Sequence, residues 1–126
     1  MPRIVLVDDD DLSRATIHQM LERAGYEVQS FANGREAMAA YLSNPADLVV
    51  TDLIMPDTDG LELIQELRRQ RPGARILAIS GGGRVNANEY LTVAQKFGAA
   101  GILTKPFSNQ ELREAVASVL TKGTLS

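Results

Sequence analysis

Cysteine is absent from this 126-residue sequence, and aromatic residues make up only 5% of it. Without cysteine the chain can form neither a disulfide framework nor a thiolate metal site. The 13 Lys and Arg residues are outnumbered by 16 Asp and Glu, and the net charge of −3 argues against a nucleic-acid-binding domain. The first apolar run, Ile4 to Val7, is too short for a signal peptide or a membrane span. We therefore expect a cytoplasmic protein with neither nucleic acid nor membrane as a partner.

The length and composition fit one globular domain. Apolar residues make up 44% and charged residues 23%, which is ordinary for a folded domain. A chain of this length supports one hydrophobic core, and no linker or internal repeat interrupts it. We expect residues 1–126 to form a single domain.

Short aliphatic runs alternate with helical patterns along the whole chain. Four runs are expected to be strands buried on both faces, and Tyr26–Phe31, which Glu27 and Gln29 interrupt, is expected to be an edge strand. The four runs are Ile4–Val7, Leu48–Val50, Ile76–Ile79 and Ile102–Leu103.

Five helices are predicted between and after these strands. Their boundaries follow from capping and stop signals, of which the clearest is Ser108 followed by Glu111, the pattern of a capping box. The first spans Ser13 to Ala24 and ends at Gly25, Asn33 caps the second, Asp59 or Gly60 opens the third, the fourth covers about 88–97, and the fifth follows Ser108. Five βα units in succession predict an α/β fold with a parallel sheet and helices on both faces.

Polar residues stand directly after four of the strands. In such a sheet these positions meet at the carboxyl edge. They are Asp8-Asp9, Asp52, Ser80 and Lys105. Clustered carboxylates repel one another and need a cation or bound protons, and oxygen ligands without His or Cys favour Mg²⁺. With a metal in place a carboxylate can act as a nucleophile toward phosphorus, while Lys105 and Ser80 can bind phosphoryl oxygens.

These motifs together resemble the response-regulator receiver family of two-component signalling. The resemblance spans the whole chain. The sequence is most similar to the chemotaxis regulators, because it consists of a receiver alone. It is carried by Val7-Asp8-Asp9, the segment from Asp52 to Gly60, Ser80 and Lys105-Pro106-Phe107.

The resemblance implies a flavodoxin-like sheet of strand order 2-1-3-4-5, a cis bond before Pro106 and a role for each site residue. Asp52 would be the phosphoacceptor, with Ser80 and Lys105 contacting the phosphoryl group. Mg²⁺ (or Mn²⁺) would be held by Asp8, Asp9, Asp52 and the backbone carbonyl of Ile54. The implied function is phosphorelay signalling: a histidine kinase or phosphotransfer protein donates the phosphoryl group, and a changed surface then binds a downstream protein. Such a chain is a phosphoacceptor that assists its own phosphorylation and dephosphorylation rather than an enzyme, and we expect a monomer or weak dimer.

Three features depart from the family pattern. Ile102 stands where the family has an aromatic switch residue, and an aliphatic side chain cannot swing a ring or hydroxyl. Ser80 is followed by Gly81-Gly82-Gly83 in a segment a few residues longer than in the chemotaxis protein. Gly82 and Ile54, at positions that tune phosphate lifetime, offer no polar side chain. These departures concern the output of the domain rather than its phosphorylation chemistry.

Two other functions are weighed against phosphorylation. A haloacid-dehalogenase-like phosphohydrolase would need a second Asp two residues after Asp52, where Ile54 stands, and a longer chain. A receiver-shaped interaction module that is not phosphorylated would be expected to lack a key site residue. Among the remaining polar residues, Asp10 and Asp11 are expected to cap the first helix, and His18 is expected to be an exposed surface residue.

Overall fold

The computed structural model is built on five parallel strands in the order β2-β1-β3-β4-β5, and it describes residues 1–53, 60–80, 92, 95–96 and 98–122. The strands are β1 (Arg3–Val7), β2 (Glu27–Phe31), β3 (Leu48–Asp52), β4 (Ile76–Ser80) and β5 (Gly101–Thr104). The helices with defined bounds are α1 (Asp11–Arg23), α2 (Gly34–Ser43), α3 (Gly60–Gln70) and the C-terminal helix α4 (Asn109–Lys122). The predicted strand order and parallel topology are confirmed.

Two hydrophobic clusters cover the two faces of the sheet. On one face α2 and α3 pack against alternate residues of the central strands, including Val5 and Val49. On the other face α1 and α4 pack against the intervening residues, including Ile4 and Val50. Strands β3 and β4 are buried along their whole length, as their unbroken apolar runs predict. The predicted arrangement of helices on both faces is therefore confirmed.

The helix starts agree with the predicted caps. The Asp10 and Asn33 side chains each accept a hydrogen bond from a backbone N–H in the first turn of α1 and α2. Ser108 and Glu111 form the reciprocal capping box, with bonds of 3.0 and 2.9 Å between each side chain and the other residue's N–H. A cap of this type is worth about 1 kcal/mol. Gly25, at φ +100°, follows the end of α1 in a conformation that favours glycine.

The prediction that Ile102–Leu103 is buried on both faces is wrong. β5 is the terminal strand of the sheet and pairs only with β4 among the described strands. Its residues alternate between partly buried and exposed, and Ile102 is 41% exposed. Two adjacent apolar residues do not distinguish an edge strand from a central one. The edge position of β5 is therefore known only from the order of the strands in the sheet. At Gly101 a Cβ atom would lie 2.7 Å from Val119 Cγ2, so the glycine lets α4 approach β5 closely.

The predicted fourth helix, about 88–97, lies mostly outside the described residues. Thr92, Gln95 and Lys96, the members of that segment that are described, are helical. Within the described ranges, none of the helices has the length and apolar character needed to cross a membrane.

Candidate functional site

The polar residues that end the strands lie along the carboxyl edge of the sheet. Asp52 is the last residue of β3 and is paired in register with Ile79, one residue before Ser80 at the end of β4. Asp8 follows β1 directly, and Lys105 follows β5. Parallel strands in register bring these positions to one edge, although they are as many as 97 positions apart in the sequence.

Three carboxylates form the centre of the site. Asp8, Asp9 and Asp52 each offer an oxygen atom, and these oxygens lie within 4.8 Å of one another. Asp8 is 1% exposed and Asp52 8%, whereas Asp9 is more open to solvent. Carboxylates this close repel one another strongly when all are ionised. The geometry fits a divalent cation with oxygen ligands, because such an ion would offset this repulsion.

Among the described residues, Lys105 is the cation that contacts the carboxylates of this cluster. Its Nζ lies 3.3 Å from Asp8 Oδ2, 3.3 Å from Asp52 Oδ2 and 2.8 Å from Ser13 Oγ. Burial by itself would lower the pKa of Lys105, but the charges of Asp52 and Asp8 and the hydrogen bonds to them together outweigh burial and hold that pKa above its ordinary value. The side chain is therefore an ammonium ion that carries one positive charge toward the two buried carboxylates.

The backbone around Asp8 is held by three hydrogen bonds. The Asp8 N–H donates to the carbonyl of Phe31 at 3.1 Å. The Asp8 carbonyl accepts from Arg14 Nη1 at 2.8 Å, and Asp8 Oδ1 accepts from the Asp10 N–H at 3.0 Å. Arg14 also pairs with Asp11, so the first turn of α1 is tied to the end of β1. These contacts fix the direction in which the Asp8 carboxylate points.

Ser80 is fully buried at the end of β4. Its carbonyl accepts a hydrogen bond from the Lys105 N–H at 2.9 Å, which links the ends of β4 and β5. The peptide bond between Lys105 and Pro106 is cis, as the family resemblance implies. Ile54, expected to offer a carbonyl to the metal, and the three glycines after Ser80 lie outside the described residues.

The sequence does not predict the contacts that Ser13 and Arg14 make with the site. The prediction that His18 is exposed is wrong in part. Ser13 and Arg14 fall within the predicted first helix, and no pattern in the sequence marks either of them as part of the site. His18 was expected to be exposed, but its side chain is only 28% exposed. Its two ring nitrogens lie 2.9 Å from Ser30 Oγ and 3.2 Å from Glu22 Oε2. It lies on the α1–β2 surface and contacts none of the site carboxylates among the described residues.

The comparisons with known proteins agree with this fold. The model of the response regulator receiver domain family matches residues 4–117, and the chain belongs to that family. It is thus a receiver domain of the two-component systems, a family of phosphoacceptors whose members interact with histidine kinases and with downstream targets. The family resemblance stated from the sequence is confirmed.

Particular relatives cover nearly the whole chain. The chain is 34% identical to the chemotaxis protein CheY of Halobacterium salinarum, over 94% of this chain and 97% of the relative. It is 33% identical to the response regulator receiver protein CpdR of Brucella abortus, over 95% of this chain and 98% of the relative. Among solved structures, a response regulator receiver domain protein from Clostridium thermocellum superposes with a TM-score of 0.89 at 26% identity, covering 97% and 96% of the two chains.

Proposed function

We propose that Asp52 is the residue that accepts the phosphoryl group. The observation that carries the proposal is that Asp52 both contacts Lys105 and keeps some solvent exposure. Asp8 also contacts Lys105, but it is 1% exposed against 8% for Asp52. Asp9 is more exposed, but it has no contact with Lys105 among the described residues. Asp52 is also the position that the receiver resemblance assigns to the phosphoacceptor.

Asp8, Asp9 and Asp52 are proposed to hold Mg²⁺ (or Mn²⁺), together with the carbonyl of Ile54. The ion, when bound, would neutralise the carboxylates and the oxygens of the incoming phosphoryl group. The spacing of the three carboxylate oxygens supports this assignment, since they lie within 4.8 Å of one another. Mg²⁺ commonly binds through one or two protein carboxylates, water and a phosphate oxygen, which suits a set open to solvent at Asp9.

The chain's own residues supply position and charge for the transfer. A carboxylate oxygen of Asp52 forms a bond to phosphorus while the bond from phosphorus to the donor breaks. Lys105, already 3.3 Å from Asp52 Oδ2, would bind one oxygen of the transferred group. The Ser80 hydroxyl, at the end of the neighbouring strand, would donate to another. Little other covalent chemistry is required, since phosphoryl transfer depends mostly on positioning and charge neutralisation.

The donor and target follow from the family. We propose that a sensor histidine kinase or a phosphotransfer protein supplies the phosphoryl group, and that residues 1–126 act as one receiver unit. Phosphorylation would then change the surface that binds a downstream protein. It can shift that equilibrium only as far as it stabilises one state more than the other.

Acetyl phosphate labelling tests the phosphoacceptor assignment. With Mg²⁺ and acetyl phosphate, the intact protein should gain one phosphoryl mass. Asp52→Asn should gain none, whereas Asp11→Asn, which removes a nearby acid outside the cluster, should be labelled like the unmodified protein. Equal labelling of the Asp52→Asn variant would overturn the assignment.

A further inference from the structure

The shortest contact of the Lys105 ammonium is with a neutral side chain. Ser13 Oγ lies 2.8 Å from Nζ, while the two carboxylate oxygens are each 3.3 Å away. An ammonium group has three hydrogens and no acceptor, so the Ser13 oxygen accepts this hydrogen bond. The three contacts match the three hydrogens of the group. Among the described residues, Ser13 is thus one of three groups that define where the ammonium sits.

The position of Ser13 is fixed by the start of α1. Its N–H donates to Asp10 Oδ2 at 3.0 Å, so the residue belongs to the capped first turn. Its side chain lines an open groove of about 720 Å³, together with Thr16, Lys105 and Phe107 among others. Capping does not explain this serine, because Asp10 already supplies the side-chain cap of α1. Among the described residues, Lys105 is the one partner of this hydroxyl.

We infer that Ser13 is a positioning residue for Lys105, and that its hydroxyl keeps the ammonium facing Asp52 during phosphorylation. The inference rests on the proposed role of Asp52 as phosphoacceptor. Lysine has a flexible four-carbon stem, and holding its charge in one place costs conformational entropy. Any cation on the carboxylates competes with Lys105 for Asp8 and Asp52, whereas the neutral Ser13 oxygen stays available to it. One ammonium hydrogen is then held by Ser13 and two remain for phosphoryl oxygens.

Three variants separate this role from a general effect on α1. Ser13→Ala should slow phosphorylation by acetyl phosphate about threefold to tenfold, the change expected from one hydrogen bond to a partly exposed charged group. Ser13→Thr keeps the hydroxyl and should restore most of the rate. Thr16→Ala is the matched control: it lines the same groove, but its hydroxyl bonds to the Leu12 carbonyl of its own helix, so its rate should not change. Thermal unfolding of all three should show an intact fold.

A second measurement observes the ammonium itself. The sequence contains only three lysines, so ¹⁵N-lysine labelling gives few ammonium signals, and Lys96→Arg and Lys122→Arg assign them. In the unphosphorylated protein, Ser13→Ala should speed hydrogen exchange of the Lys105 ammonium and shift its signal. Ser13→Thr should leave both close to their original values. If Ser13 served only the helix, Ser13→Ala would change neither the hydrogen-exchange rate nor the signal of the Lys105 ammonium.

The outcomes distinguish this inference from the proposed function. If Asp52→Asn is not labelled but Ser13→Ala reacts as fast as the unmodified protein or faster, the positioning role is wrong and the phosphoacceptor assignment stands. An unchanged Lys105 signal in Ser13→Ala also overturns it. If Asp52→Asn is still labelled, the proposed function itself fails. Slower labelling of Ser13→Ala, with recovery in Ser13→Thr and a changed Lys105 signal, supports the inference.

Discussion

Replacing Asp9 by asparagine removes one negative charge from the carboxylate cluster while keeping the size of the side chain. The carboxylate oxygens lie within 4.8 Å of one another, and two unit charges at that distance repel by about 3.5 kcal/mol at an effective dielectric near 20. Lys105 compensates Asp8 and Asp52 directly, and in the described part of the chain no cation is paired with the Asp9 carboxylate. Solvent screens this partly exposed group, so we expect a net stabilisation of about 1 kcal/mol without metal.

The sign of this effect should reverse when Mg²⁺ is added. We expect the unmodified protein to gain stability by binding the ion, by about 2.7 kcal/mol at a hundredfold excess over the dissociation constant. Asp9→Asn lacks one of the carboxylates proposed to hold the ion and should gain far less. The variant is thus expected to be the more stable protein in EDTA and the less stable one in Mg²⁺.

Thermal unfolding with EDTA and with Mg²⁺ provides the assay. A stabilisation of 1 kcal/mol should raise the midpoint by roughly 3–6 °C for a domain of this size. Asp11→Asn is the control, because Asp11 pairs with Arg14 in the first turn of α1 and lies outside the cluster. That variant should be slightly less stable in both solutions and respond to Mg²⁺ like the unmodified protein. A lower midpoint of Asp9→Asn in EDTA, or an undiminished Mg²⁺ response, would refute the reasoning about repulsion and metal binding.

Two further predictions concern Lys105 and Tyr41. Lys105→Met removes the ammonium beside the buried Asp8 and Asp52 and should lower the free energy of unfolding without metal by about 2 kcal/mol. The loss is smaller than for a fully buried pair, because the lysine is partly exposed. Urea unfolding in EDTA checks this, and an unchanged free energy of unfolding would contradict it. Burial raises the pKa of Tyr41, against a smaller opposing effect of Arg71. The unfolded chain therefore ionises first, so this contribution is intact below about pH 10 and is lost as pH rises beyond it. Tyr41→Phe should show a smaller loss of stability between about pH 8 and pH 11; a loss equal to that of the unmodified protein would count against the pKa shift.

The fold was predictable because several local signals agree. Unbroken apolar runs such as Leu48–Val50 predict strands buried on both faces, and that is where β3 lies. The polar residues Glu27 and Gln29 within the second run predict an edge strand, and β2 is one. Caps such as Asn33 place the helix starts. Each of these signals depends only on residues close together in the sequence, so the sequence alone predicts these strands and helix starts.

Features that depend on contacts between distant elements were harder to read. The exposure of Ile102 follows from the place of β5 at the end of the sheet, and two apolar residues do not encode that place. The contact between Ser13 and Lys105 joins residues 92 positions apart, and a serine near a helix start commonly serves only its own backbone. The half-buried state of His18 depends on Ser30 of β2 in the same way. The strand-end residues were found because parallel strands bring their carboxyl ends to one edge whatever the intervening sequence.

Locating the phosphoryl group within the chain tests the central claim most directly. After labelling with acetyl phosphate and Mg²⁺, borohydride reduction converts an aspartyl phosphate to homoserine, which marks the modified position. Trypsin then separates the candidates, because Asp52 lies between Arg35 and Arg68 while Asp8 and Asp9 lie between Arg3 and Arg14. The account predicts homoserine at position 52, in the peptide of residues 36–68. Homoserine at position 8 or 9, in the peptide of residues 4–14, would contradict it.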